Sequence, residues 1–271
     1  MKLAIQADML PGKTEAERFQ YAQDLGFDGL ELWADGLEER LMDVAMALND
    51  LELEVASVHL GRRDGYLSPD MAIRESALSY LREVMATAVD LQCENVVFVP
   101  HWGNLIMPNL TPHRSAEELA SDLMIWLVRT VSDLAYALGT RLHMQPRHRY
   151  HTQFMNTVEQ AIKFSDVIKN HPYIRIAPHL FDMALEEVGI EAILKSYAER
   201  FGYLYLADSN GRLPGQGFLD WKAIGSAILE SDYDGWLCIS AGHAITDPNE
   251  QYALYDALPS SLQLLKDVGL R

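Results

Sequence analysis

Eight short apolar runs recur along this chain, each followed by a longer stretch with helical spacing, and that alternation most narrows what it can fold into. The runs are KLAIQA (2–7), DGLELW (28–33), LEVASVHL (53–60), NVVFVP (95–100), RLHMQP (141–146), YIRIAP (173–178), YLYLA (203–207) and GWLCIS (235–240). The segments 14–25, 37–50, 69–91, 115–138, 156–170, 186–200, 220–231 and 249–268 place apolar residues at the three-and-four spacing of an amphipathic helix. Strand-length runs alternating with helices imply βα units and a parallel sheet. Eight such units in 271 residues match the size of a (β/α)8 TIM barrel. The alternative, an open doubly wound sheet, usually carries a Gly-rich phosphate turn after its first strand. Here that turn reads Asp8-Met9-Leu10-Pro11-Gly12-Lys13 and lacks it. No linker or low-complexity segment divides the chain, so 1–271 is read as one α/β domain. Thr14 with Glu17, Ser115 with Glu118 and Asn156 with Glu159 are candidate helix starts.

Charge and cysteine usage exclude several function classes. Lys+Arg 22 against Asp+Glu 39 gives a formal net charge of −17. Nucleic-acid affinity rests on neutralising phosphates, so no nucleic-acid partner is expected, nor an anionic membrane surface. No run approaches eighteen uninterrupted apolar residues. The opening MKLAIQADMLPGK has no signal-peptide pattern. Cys93 and Cys238 lack CxxC partners and sit among apolar residues, as buried thiols of a reducing compartment do. A cytoplasmic location follows as the expectation.

In a (β/α)8 barrel the chemistry collects at the C-terminal strand ends. Those ends offer Glu31 and Trp33; His59; His101; Gln145, Arg147, His148, Arg149 and His151; His179 and Asp182; Tyr205, Asp208 and Arg212; and Ser240 with Gly242 and His243. With His143, which shares the strand parity of Gln145, seven of the nine histidines fall in or just after these runs. Histidine titrates near neutral pH and suits proton transfer. Each residue also has a structural reading. Asp182 fits a helix N-cap, Asp208 a strand-end turn, and Tyr205 a core filler. Trp33 and Trp102 fit the core or an aromatic wall for a sugar ring.

Several of these segments resemble the sugar phosphate isomerase/epimerase superfamily of xylose isomerase-like TIM barrels, of which endonuclease IV is a distant relative. GFDGLELW (26–33) looks like its second strand, and ADSNGRLPGQGFLDWKAI (207–224) like its seventh-strand loop. YDGWLCIS (233–240) looks like its eighth strand, and QPRHRY (145–150) like its fifth, with Pro146, Arg149 and Tyr150 retained. The resemblance implies one divalent metal held by Glu, Asp, His and Glu on the fifth to eighth strands. Those positions fall here on Gln145, His179, Tyr205 and Ser240, so all four depart from the pattern. Hard divalent ions depend on anionic oxygen ligands, so no metal is expected. A relocated Zn2+ or Mn2+ site on His59, His101, His179 and Asp182 is the alternative. The endonuclease reading would need three zinc ions and clashes with the acidic balance.

Two functions fit. One is an isomerase or epimerase acting by proton transfer on a keto-sugar, polyol or related carbonyl compound. It would use His179, Asp182, Asp208 and His101 for chemistry. Gln145, Arg147, Arg149, Tyr205, Arg212, Ser240, His59 and Trp33 would bind the substrate. The other is a non-catalytic binding or scaffold protein that kept the barrel. In both the partner is a small polar or anionic molecule, and helix faces bearing Trp126 are compatible with a homo-oligomer.

Overall fold

The computed structural model describes residues 1–241 and 248–271, apart from the side chains of 248–253, so Gly242 and His243 lie outside the described residues. Eight parallel strands alternate with helices, as the apolar runs predict. The strands are β1 (Lys2–Gln6), β2 (Gly29–Trp33), β3 (Glu54–His59), β4 (Asn95–Phe98), β5 (Arg141–Met144), β6 (Ile174–Ile176), β7 (Tyr203–Leu206) and β8 (Trp236–Ile239). The α-helices are α1 (Glu15–Asp24), α2 (Leu41–Leu48), α3 (Met71–Asp90), α4 (Ala116–Leu138), α5 (Val158–Val167), α6 (Leu180–Glu186), α7 (Ile190–Tyr197), α8 (Trp221–Leu229) and α9 (Pro248–Asp267). The sheet order β6-β5-β4-β3-β2-β1-β8-β7 follows the chain consecutively, which is (β/α)8 topology.

Contacts group the residues into two compact units: 1–32, 36–56 and 178–271 in one, 33–35 and 57–177 in the other. In the first, β1 pairs with β2 and β8, and β8 with β7. These strands are buried on both faces, which is why they read as near-continuous apolar runs without polar alternation. The register sets Gln6 opposite Glu31, so two polar side chains meet where the surrounding strand is apolar. Phe19 and Ala22 of α1 and Ile224, Ala227 and Ile228 of α8 supply buried helix stripes.

In the second unit β4 pairs with β3 and β5, and β5 with β6. The stripe Leu78, Leu81, Val84, Met85 and Ala88 buries one face of α3. Met124, Leu127, Val128 and Val131 do the same for α4. Each buried aliphatic side chain contributes about 1.5–3 kcal/mol. Helix α4 starts with the expected capping box of Ser115 and Glu118 and stops at Gly139 in the left-handed conformation.

Three local expectations need correcting. The cap of α5 is Thr157 with Gln160, one residue later than Asn156 with Glu159. Asn156 instead donates to the carbonyls of Arg147 and Thr152, which ties down the loop after β5. Helix α2 starts at Leu41, after a turn over 37–40 in which Leu37 is buried. Helix α6 starts at Leu180, earlier than the reading of Asp182 as an N-cap implies. Its N-cap is His179, whose side chain accepts from Phe181 N–H, and Asp182 sits in the first turn.

Candidate functional site

In the first unit the ends of β1, β2, β7 and β8 and the segment that opens at Pro178 bring together five polar side chains. Gln6 Nε2 donates to Glu31 Oε1 at 2.6 Å, and Tyr205 Oη donates to Glu31 Oε2 at 2.6 Å. The carboxylate thus takes a donor on each oxygen while only 1% exposed. A buried charge demands such partners. The ring of Tyr205 stacks on that of His179, centroids 5.4 Å apart and planes 19° apart. His179 Nε2 lies 3.4 Å from Ser240 Oγ. Its other nitrogen, Nδ1, accepts from Phe181 N–H at 3.3 Å and sits 3.7 Å from Asp182 Oδ2, beyond hydrogen-bonding distance. An isolated parallel bridge between His179 and Tyr205 holds the two residues side by side.

Sequence reasoning placed His179, Tyr205 and Ser240 in a site, and the fold brings those three together. It passed over Gln6 and left Glu31 without a role. The signal was present: GLELW puts one carboxylate inside an otherwise apolar parallel strand, and such a group requires a buried partner.

Asp208 occupies a different setting. Its Oδ1 accepts from Ser209 N–H at 2.7 Å and Leu219 N–H at 3.1 Å. Its Oδ2 accepts from Gly215 N–H at 2.9 Å and Trp221 Nε1–H at 2.8 Å. Burial opposes its ionisation, but the Trp221 indole and the backbone amides of the loop outweigh burial and hold the carboxyl below its ordinary value. This carboxylate organises the PGQG loop around itself. Gly217 is required there, because a Cβ would stand 2.1 Å from Asp208 Oδ1. Arg212, on the same loop, is exposed.

In the second unit His59 Nε2 meets Gln145 Oε1 at 2.9 Å, and the edge of Trp33 packs on the imidazole at 4.8 Å. His59 Nδ1 accepts from Gly61 N–H at 2.8 Å. Gly61 has φ +67°, a left-handed conformation that turns its amide back onto the ring. With Nδ1 accepting, the proton of the neutral ring sits on Nε2 and points at Gln145. Burial, with Arg147 assisting and the Gln145 bond opposing, lowers the pKa of His59 to about 4.

His101 differs. Its Nδ1 lies 3.1 Å from Asp64 Oδ1 and its Nε2 3.0 Å from the carbonyl of Asn104. Both neighbours are acceptors, so both ring nitrogens donate. Burial would depress its pKa, yet the Asp64 bond and charge carry it above the ordinary value. The ring is a clamp between the loops after β3 and β4.

Arg147 is buried, donates to His151 Nδ1 at 3.2 Å and lies over Trp102 at 5.7 Å; Arg62 also lies over Trp102, at 5.1 Å. His148 and His151 rings are 4.1 Å apart. Burial, with Arg147, His148 and Arg62 adding to it, lowers the pKa of His151 to about 4. Arg149 is exposed. His143 is fully buried and bonds Asn95 Oδ1 at 2.9 Å.

The donor chemistry can be tested against the divalent metal that the resemblance implies. A metal-bound histidine normally donates its second N–H to a carbonyl or carboxylate. His59, His179 and His151 have the reverse arrangement: Nδ1 accepts a hydrogen, which leaves the hydrogen of the neutral ring on Nε2. His101 spends both nitrogens as donors. As held here, none of these four imidazoles offers a lone pair to a cation. Gln145, Tyr205 and Ser240 add no charge. Gln145, His179, Tyr205 and Ser240, at the positions that the resemblance assigns to the ion, do not fit it, while His148 belongs to a separate group of candidate metal ligands.

A profile of the family described as xylose isomerase-like TIM barrel matches residues 19–257. The 3-dehydro-D-guloside 4-epimerase of Escherichia coli (strain K12) is 23% identical over 259 residues, 93% of this chain and 96% of that protein. The D-psicose 3-epimerase of Agrobacterium fabrum is 23% identical over 219 residues, 78% of this chain and 73% of that protein. A crystal structure of 3-keto-D-glucoside 4-epimerase from E. coli in apo form superposes with a TM-score of 0.84 at 22% identity, covering 98% of this chain and 99% of that one. Among the described residues, no helix is long and apolar enough to cross a membrane.

Proposed function

The chain belongs to the xylose isomerase-like TIM barrel family, and from that premise we propose that it is a sugar epimerase that works without the divalent metal. The reaction is proton transfer at a carbon beside the carbonyl of a keto-sugar. The C–H bond breaks towards a base, its electron pair forms a C=C bond, and the carbonyl π pair moves onto oxygen. Water that gives a proton to the opposite face reverses the flow and inverts the carbon, and the hydroxide left behind takes the proton held by the base.

The observation that carries the metal-free reading is the donor chemistry of the imidazoles. Charge on the enediolate oxygen must be met by something, and preorganised N–H and O–H donors meet it well in a water-poor site. Asp182, buried at 2% exposure, is assigned as the base. Asp208 is assigned to the loop and His101 to its clamp, since their polar atoms are committed there. Tyr205 with Ser240 is assigned to binding in the unit that holds Asp182. In the second unit, by itself, His59 with Gln145, Arg147 and Trp102 suit a polyhydroxyl or anionic ligand. The end-to-end likeness to a 3-dehydro-D-guloside 4-epimerase supports a keto-sugar substrate.

The non-catalytic reading draws on one feature: buried Glu31 takes a hydrogen bond from Gln6 on one oxygen and from Tyr205 on the other. Incubating the purified protein with D-psicose or 3-dehydro-D-guloside in D2O separates the readings. Deuterium incorporation at carbon, seen by NMR and unchanged by EDTA, is the expected result. Incorporation that EDTA abolishes and Mn2+ restores refutes the metal-free reading, and none at all supports the binding protein.

A further inference from the structure

We infer that His179 is a fixed N–H donor for the developing oxyanion of the substrate, with Ser240 Oγ marking where that oxygen sits, and that it does not itself carry a proton to or from the sugar. This rests on the epimerase reading and gives it its electrophile.

The geometry is local. His179 Nδ1 faces the main-chain N–H of Phe181 at 3.3 Å. A backbone amide can only donate, so Nδ1 must accept and the ring hydrogen belongs to Nε2. Nε2 points at Ser240 Oγ at 3.4 Å, a long contact that a substrate oxygen could replace with a shorter one. The two partners are each 1% exposed, so little water competes. The face of Tyr205 against the ring fixes its plane. Tyr205 is in turn anchored through its hydroxyl to Glu31.

The competing arrangement is explicit. Asp182 Oδ2 lies 3.7 Å from Nδ1, and a proton placed there would turn the ring into an ion-paired acid. It would also set N–H against N–H at Phe181. A neutral imidazole kept from protonation is an effective electrophile for an enediolate, because it donates strongly without surrendering its proton. During the reaction Asp182 takes the carbon-bound proton. Negative charge appears on the carbonyl oxygen, and the His179 Nε2–H bond shortens onto it with no transfer. A second local instance supports the principle: His59 Nδ1 accepts from Gly61 N–H, likewise two residues on, and its Nε2 faces Gln145.

The test begins with the whole protein labelled with 15N-histidine and studied without sugar. Long-range 1H–15N spectra report which ring nitrogen bears hydrogen, and the His179 signals are identified by their loss in His179→Gln, or in His179→Asn should the first not fold. The expected result is a protonated Nε2 and a bare Nδ1, with Nε2 shifting on addition of D-psicose. A protonated Nδ1, or a doubly protonated ring at pH 7, overturns the assignment. Kinetics supply a second arm. His179→Leu should lose about 10²–10³-fold in kcat with little change in KM, and His179→Gln, which keeps an N–H, should recover part of that loss. Equal loss in both variants overturns the donor role. A parent protein that exchanges no carbon-bound proton of either D-psicose or 3-dehydro-D-guloside overturns the epimerase reading itself. That failure is distinguishable, because the tautomer is read before any sugar is added.

Discussion

Replacing Asp208 by Asn tests whether this carboxylate builds a loop or moves a proton. The side chain accepts two hydrogen bonds on each oxygen, at 2.7 and 3.1 Å on Oδ1 and at 2.9 and 2.8 Å on Oδ2. Asparagine keeps one oxygen and sets an amide NH2 against two donors. Hydrogen bonds to a charged group contribute about 1.5–3 kcal/mol each. Losing two of them, less what the loop recovers by relaxing, costs about 3–5 kcal/mol. At about 2–4 °C per kcal/mol for a chain of this size, Tm should fall by roughly 10 °C. Urea unfolding at pH 7 measures the energy directly, and an unchanged slope shows that the unfolded state is unaltered. Trypsin should also cleave faster after Arg212, which is exposed, once the loop backbone is loosened. The pH dependence has a definite sign. The folded pKa lies below the unfolded one, so the stabilisation is present above the ordinary carboxylate value and disappears as pH falls through the folded pKa. The Asn variant should lose that dependence. A change below about 1 kcal/mol, with tryptic cleavage no faster and deuterium exchange abolished, would refute the loop assignment and return Asp208 to the chemistry.

Two further outcomes follow from the polar pairs. Asp64→Asn should flatten stability against pH at both ends. His101, with its raised pKa, stabilises below its unfolded value and loses that contribution as pH rises through the folded one. Asp64, with its lowered pKa, stabilises above its unfolded value and loses that as pH falls through the folded one; urea titrations at about pH 3, 5.5 and 9 test both limbs. Tyr205→Phe should cost about 1.5–3 kcal/mol by removing a donor from buried Glu31. Adding Glu31→Gln should cost less than the sum of the two single changes, and a coupling energy near zero would mean the 2.6 Å bond contributes nothing.

The fold was more legible than the site, for a physical reason. Strands such as NVVF and YLYL are buried on both faces, so composition alone announces them. The Ser115–Glu118 box marked the start of α4 because a cap is written in four consecutive residues. The cap of α5 was misplaced by one residue because Asn156-Thr157 offers two adjacent starts, and only the demand for donors after β5 chooses between them. Roles at the strand ends depend on which atom faces which. His101 and His179 look alike in the chain, yet one meets two acceptors and the other a backbone amide. Glu31 drew less notice than Asp208 because it sits inside a strand, whereas loops advertise their acids. The bonds on these two carboxylates, from neighbouring strands for Glu31 and from its own loop for Asp208, exist only after folding.

The amides of Gly61 and Phe181 have a consequence for any attempt to convert this protein into a metal enzyme. Restoring carboxylates at 145, 179 and 240 would change side chains and leave the main chain in place. Every residue type but proline keeps an N–H at 61 and 181. As long as the turn at 61 is kept, the polarity of the His59 ring is inherited with the backbone path, and an imidazole at 179 would be held the same way. A designer who wants a cation held by an imidazole at 59 or 179 must first redirect a peptide bond, because the main-chain N–H decides which ring nitrogen keeps its hydrogen.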